Sequence, residues 1–175
     1  DNKTNKPIII GYDRRFLSIS AAKWVAEVLS AGGINVLFMN RSAPTPLVMH
    51  TVKDRNLYFG IEITASHNPS TYNGIKLFID EGRDAPLEVT ERLEKIIEGI
   101  DEVNFISFDT AVAENKITYI SNPFNKFLDD IINLLDMEAL RKRGARVLFD
   151  TMHGSGAYPL QVILHTARCT VDTIN

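Results

Sequence analysis

Short apolar, β-branched runs alternate with longer segments whose apolar residues return every three or four positions, and this alternation limits what the chain can fold into. "PIIIGY", residues 7–12, reads as a buried strand ending in a glycine. Ala21, Ala22, Trp24, Val25, Val28 and Leu29 then recur at helical spacing, with Ser18 or Ser20 as the expected cap and Gly32-Gly33 as the stop. A strand is expected at 34–39, then a helix capped by Thr45 and running to about residue 56, then strands at 57–64 and 75–79. Residues 86–100 form an amphipathic pattern. A second begins at Asn122-Pro123, with Phe124, Phe127, Leu128, Ile131, Ile132 and Leu135 as its stripe; both read as helices packed on a sheet. The chain restarts with "RVLFD" at 146–150, turns through "HGSG", and continues as a helix near 158–167 and a strand at 170–174.

Strands alternating with helices predict an α/β fold, a three-layer α/β/α arrangement on a mostly parallel mixed sheet. A break is expected near Gly144, after the charged stretch 137–144. This gives a domain at 1–143 and a partial second α/β domain at 144–175, built of one βαβ unit. One such unit leaves a sheet edge uncovered, so more chain is expected after Asn175. Ligands of such sheets collect beyond the C-terminal ends of the strands, which directs attention to the loops 11–15, 64–73 and 151–156.

Composition removes several functional classes. The 175 residues are 45% apolar, enough for a good core, and the net charge of -3 is spread without a basic stripe for nucleic acid. The Arg141-Lys142-Arg143 cluster reads as a solvated helix end. No apolar run approaches a membrane span, and the N-terminal residues lack the apolar centre of a signal peptide. A single cysteine, Cys169, allows neither an internal disulfide nor a multi-cysteine zinc site and fits a reducing, cytoplasmic setting.

One loop is unusually polar: "TASHNPSTYNGIK", residues 64–76. Residue by residue it has a turn's chemistry. Ser66, Asn68 and Ser70 surround Pro69, Asn73-Gly74 tolerates positive φ, and Lys76 suits the solvent face of a strand. Ser66 beside His67 does not suggest a hydrolase triad, whose base normally comes from a separate element, and G-x-S-x-G is missing. Arg15 either reaches this edge of the sheet or pairs with Asp13 or a nearby carboxylate. Gly154-Ser155-Gly156 is a tight turn or a cradle for an anion. His50 and His165 fall on expected helices without metal-type spacing.

In order, Thr64-Ala65-Ser66-His67-Asn68-Pro69 followed by Asn73-Gly74-Ile75-Lys76 resembles the phosphoserine signature of the α-D-phosphohexomutases, the phosphoglucomutase and phosphomannomutase family. Gly11-Tyr12-Asp13-Arg14-Arg15 resembles that family's G-x-D-x-R segment, and residues 147–156 the start of its second domain. The resemblance implies an enzyme that moves phosphate between the 1 and 6 positions of a hexose. Ser66 would carry the phosphoryl group, Lys76 would be the general acid/base, His67 would orient substrate or proton transfer, and Asn68 would support the loop. It places Ser66, His67, Asn68, Lys76 and Arg15 against substrate, names hexose phosphate and hexose 1,6-bisphosphate as partners, and implies Mg²⁺ with Ser66 as one ligand. The family's D-G-D-x-D-R metal cluster and its first arginine motif are absent, so the chain is expected to be a first domain without its extreme N-terminus plus part of a second, inactive alone. Thr64 leans toward the glucose and mannose enzymes over the glucosamine branch. The alternatives are a non-catalytic phosphosugar-binding or regulatory module and an ordinary serine hydrolase.

Overall fold

Three parallel and two antiparallel pairings build the first sheet. β1 (Ile8–Tyr12) lies between β2 (Val36–Phe38) and β3 (Gly60–Ile63), and β2 also pairs with β6 (Ile117–Tyr119), all in parallel. β4 (Ile75–Ile79) returns antiparallel to β3, and the short β5 (Arg83–Asp84) antiparallel to β4. The order β5-β4-β3-β1-β2-β6 is thus the expected mostly parallel mixed sheet. The computed structural model describes residues 6–175.

Helix α1 (Ser18–Ala31) packs on one face of this sheet and α2 (Thr45–Asp54) on the other, the three-layer arrangement foreseen from the alternation. Ile9, Ile10, Val36, Phe38, Ile63 and Phe78 are closed from solvent between Ala22 and Ala26 of α1 and Leu47, Val48 and Val52 of α2. Neither serine caps α1: Leu17 occupies the cap in a left-handed conformation, and the Ser18 hydroxyl donates to Asp13 instead. Thr45 does not cap α2 either; Pro44 precedes the first turn with no side-chain bond. α3 (Leu87–Glu98) forms as expected but buries no residue fully, and with Ile61, Ile75 and Leu77 of the sheet it borders an apolar groove of about 600 Å³. Two further elements, α4 (Phe108–Ala113) and β6, occupy a stretch whose pattern suggested nothing.

The chain divides into two compact units, Asp1–Ile120 and Ser121–Asn175. The second contains α5 (Pro123–Leu134), α6 (Met137–Arg143), β7 (Arg146–Asp150), α7 (Ala157–Thr166) and β8 (Thr170–Ile174), with β7 and β8 parallel. The packing boundary therefore precedes the break expected near Gly144, because α5 packs against α7, with Phe124 edge-on to Tyr158. The basic cluster ends α6, and Gly144 closes that helix at φ 60.

Candidate active site

Tyr12 at the end of β1 is in register with Ile63 at the end of β3, so the loops leaving these strands start side by side. From there one chain heads toward β2 and the other toward β4, on opposite sides, which opens the crevice where α/β sheets bind ligands. The Asp13 amide extends the pairing by donating to the Ile63 carbonyl at 3.0 Å.

Asp13 organises the first loop. Its Oδ1 accepts from the Arg15 amide at 2.9 Å and from the Ser18 hydroxyl at 2.7 Å, and its Oδ2 accepts from Arg15 Nε at 3.2 Å. The guanidinium so held is aimed at the second loop. Nη1 donates to the carbonyls of Pro69 at 2.9 Å and Tyr72 at 3.2 Å, and Nη2 to those of Ser66 and Asn68, both at 2.8 Å. With Nε on Asp13, all five N–H donors of this arginine are engaged. Both alternatives raised for Arg15 are realised: it pairs with Asp13 and reaches the site's edge. In this arrangement it holds the loop and keeps no donor for a phosphate. Asn73 clamps the loop's far end by donating to the Phe16 carbonyl at 3.2 Å and the Ser18 hydroxyl at 2.9 Å. Neither Asn73 nor Gly74 adopts the positive φ expected of them, so Asn73 is present for its side chain.

Ser66 does adopt that conformation, at φ 57, which costs an L-residue about 1–2 kcal/mol. Its amide donates to Thr64 Oγ1 at 3.0 Å, and its exposed Oγ lies 3.2 Å from His67 Nδ1. Adjacent residues were not expected to meet in this way. The left-handed turn at Ser66 brings serine and imidazole into hydrogen-bond range, so His67 can accept or donate there according to its tautomer. Asn68 and Pro69 support the turn through backbone bonds, Asn68 N to Ala65 O and Tyr72 N to Pro69 O, each 3.0 Å. Lys76 lies on β4, half-exposed, with Nζ 2.9 Å from Asp84 Oδ1; it is ion-paired rather than free in solvent.

Glu62, which the motifs do not include, lies beneath this loop. It is fully buried on β3, and among the described residues neither carboxyl oxygen has a hydrogen-bond partner. Burial first, and then the negative charge of Asp13, push its carboxyl up to about 9. A glutamate inside the apolar run "LYFGIEIT" was the available signal, since a strand covered on both faces has no exposed side for it.

In the second unit, residues 151–156 form a tight turn, with the Gly154 amide on the Thr151 carbonyl at 2.8 Å. Met152 and His153, not the glycines, carry its positive φ values, 47 and 59. The Met152 amide, followed by the Asn175 side chain, holds the Asp150 carboxyl below the usual carboxylate range. Among the described residues, no three His, Cys, Asp or Glu side chains come together as metal ligands. Ser66 offers one oxygen where Mg²⁺ needs several, so the residues present do not make up a site for that ion.

Residues 1–104 match the profile described as phosphoglucomutase/phosphomannomutase, alpha/beta/alpha domain I. The chain is 30% identical over 174 residues to a phosphoglucosamine mutase of Prochlorococcus marinus subsp. pastoris, covering 99% of this chain and 37% of that protein. It is 33% identical over 159 residues to a phosphoglucomutase of Staphylococcus aureus strain MRSA252, covering 87% of this chain and 28% of that one. The chain thus spans between 28% and 37% of the length of these relatives. A solved candidate phosphomannomutase from Thermus thermophilus superimposes with a TM-score of 0.85 at 24% identity, over 99% of this chain and 38% of that one. A phosphoglucomutase/phosphomannomutase family protein from Burkholderia thailandensis gives 0.70 at 17% identity, over 97% and 35%. At such identities these two structures speak for the fold.

Proposed function

Since this chain belongs to the phosphoglucomutase/phosphomannomutase family, we propose that it contributes the phosphoryl-carrying serine of a hexose-phosphate mutase. The observation that carries this reading is Ser66, exposed in a left-handed turn with Oγ against His67 and held by Arg15 at the C-terminal edge of the sheet. Phosphoryl transfer asks mainly for positioning and charge neutralisation, and a preset loop provides the first.

In the proposed cycle, Ser66 gives a phosphoryl group to a hydroxyl of a hexose monophosphate. The bond from Ser66 Oγ to phosphorus breaks and one from the sugar oxygen forms, leaving a hexose 1,6-bisphosphate. Lys76 takes the sugar proton as the neutral amine, after it has left Asp84 and given up its own proton to solvent, with His67 orienting the transfer and Asn68 supporting the turn. After the bisphosphate reorients, its other phosphoryl group returns to Ser66 and the proton to the departing sugar oxygen. The cycle leaves atoms and charge unchanged, and the phosphate has moved between positions 1 and 6.

The relatives are named for glucose and for glucosamine phosphates, and the sugar handled here is left as that class. Because the chain spans 28% to 37% of its relatives' length and lacks a Mg²⁺ ligand set among its described residues, we expect it not to complete turnover alone. A cytoplasmic setting fits the single thiol, and among the described residues no helix is long and apolar enough to cross a membrane. The test is hexose-phosphate isomerisation by the protein containing this chain, with and without Ser66→Ala. Loss of turnover and of acid-stable phosphate on the protein supports the reading; undiminished turnover in the variant overturns it.

A further inference from the structure

Glu62 serves no step of the proposed transfer, yet its place is well defined. Gly60 and Glu62 of β3 are in register with Phe78 and Lys76 of β4. The positions of Gly11 and Gly60 abut Val48 and Val52 of α2, so these residues share the α2 face of the sheet. A Cβ at Gly11 would meet Glu62 Oε2 at 2.3 Å, which means that the carboxyl fills the space a side chain at Gly11 would need. Two residues after Gly11 comes Asp13, the anchor of Arg15.

We propose that the Glu62 carboxyl is a positioning group for the Ser66 loop: seated over Gly11, it governs whether Asp13 keeps Arg15 on the carbonyls of Ser66, Asn68, Pro69 and Tyr72. Among the described residues, the charged groups facing it are few. From β1 and its loop there is Asp13, already bonded to Arg15 and Ser18. From β4 there is Lys76, its register partner, committed to Asp84. The α2 residues turned inward, Leu47, Val48, Thr51 and Val52, bring no titratable group. A neutral carboxyl tolerates that setting. Once ionised, it must repel Asp13 or draw Lys76 from Asp84, and either response acts on the groups that shape the site. The inference concerns the same site as the proposed mutase chemistry, but its test reads loop structure and not turnover, so each can fail without the other.

The experiment is carbon-detected NMR of the 175-residue chain, titrated from neutral to alkaline pH, following the Glu62 side-chain carboxyl and the backbone carbons of Ser66, Asn68 and Pro69. The expected result is one shared transition near pH 9 in carboxyl and loop, with the β1 core carbons of Ile9 and Ile10 unmoved. Glu62→Gln, neutral throughout, should abolish the loop transition, and Glu62→Met serves if the amide does not fold. A carboxyl that titrates while the loop carbons stay still overturns the proposal, as does a loop transition that persists in Glu62→Gln. A transition that carries Ile9 and Ile10 along also overturns it, because the whole sheet has then given way.

Discussion

Arg15 donates through Nη2 to the carbonyl of Ser66 at 2.8 Å, across 51 positions of sequence. The residue that fixes the proposed nucleophile's backbone thus belongs to the loop after β1. Lysine cannot reproduce the planar set of five donors, so Arg15→Lys should lower turnover of the intact protein on the order of a hundredfold through misplacement of the loop. Arg15→Ala should also lower stability by about 2 kcal/mol. Steady-state kinetics and urea unfolding measure the two effects; a lysine variant with native turnover would refute the positioning role.

The conformation of Ser66 predicts an inversion of the usual order of alanine and glycine. At φ 57 glycine avoids the Cβ clash, so Ser66→Gly should exceed Ser66→Ala in stability by about 1 kcal/mol. Neither should accept a phosphoryl group. Chemical denaturation of both variants decides the point.

Gly11 has no room for a methyl group: its Cβ would lie 2.3 Å from Glu62 Oε2 and 2.4 Å from Val48 Cγ2. Gly11→Ala should therefore cost about 1–3 kcal/mol by overpacking. If the carboxyl is the main obstacle, pairing the change with Glu62→Ala should recover part of that loss in a double-mutant cycle.

Glu62 also gives stability a pH slope of definite sign. Its carboxyl rises from 4.5 to about 9 on folding, so the folded state holds a proton that the unfolded state has released between those values. Its contribution is complete below about 4.5 and falls as pH rises through that window toward 9. Across the window the loss amounts to several kcal/mol, on the order of 1.4 kcal/mol per pH unit. Urea midpoints between pH 5 and 8.5 should decline in the wild type and flatten in Glu62→Gln.

Most strands and helices were legible because burial imposes a period on sequence. β4, β7 and β8 appear where their apolar runs lie, and α3 and α5 lie within a residue or two of their patterns. β6 was not legible: three residues, of which only Ile117 is buried, are too few to show alternation, and the strand exists because β2 offers it an edge. At the candidate site, order and residue type nominated Ser66, His67 and Lys76. They could not show that Ser18 would bridge Asp13 and Asn73, or that Arg15 would turn to carbonyls, because such bonds depend on two loops meeting in space. Residue type alone suggested caps for Ser18 and Thr45, roles the chain assigns elsewhere or leaves unfilled.

The arginine clamp bears on how this loop could be transplanted. Four of its backbone carbonyls look to one side chain from another segment, and Asn73 fastens its end to that same segment. A peptide of residues 64–76 grafted onto a foreign hairpin would keep its letters and lose its shape. The smallest portable piece is a pair of neighbouring strands with both of their loops, and a designer would have to move them together.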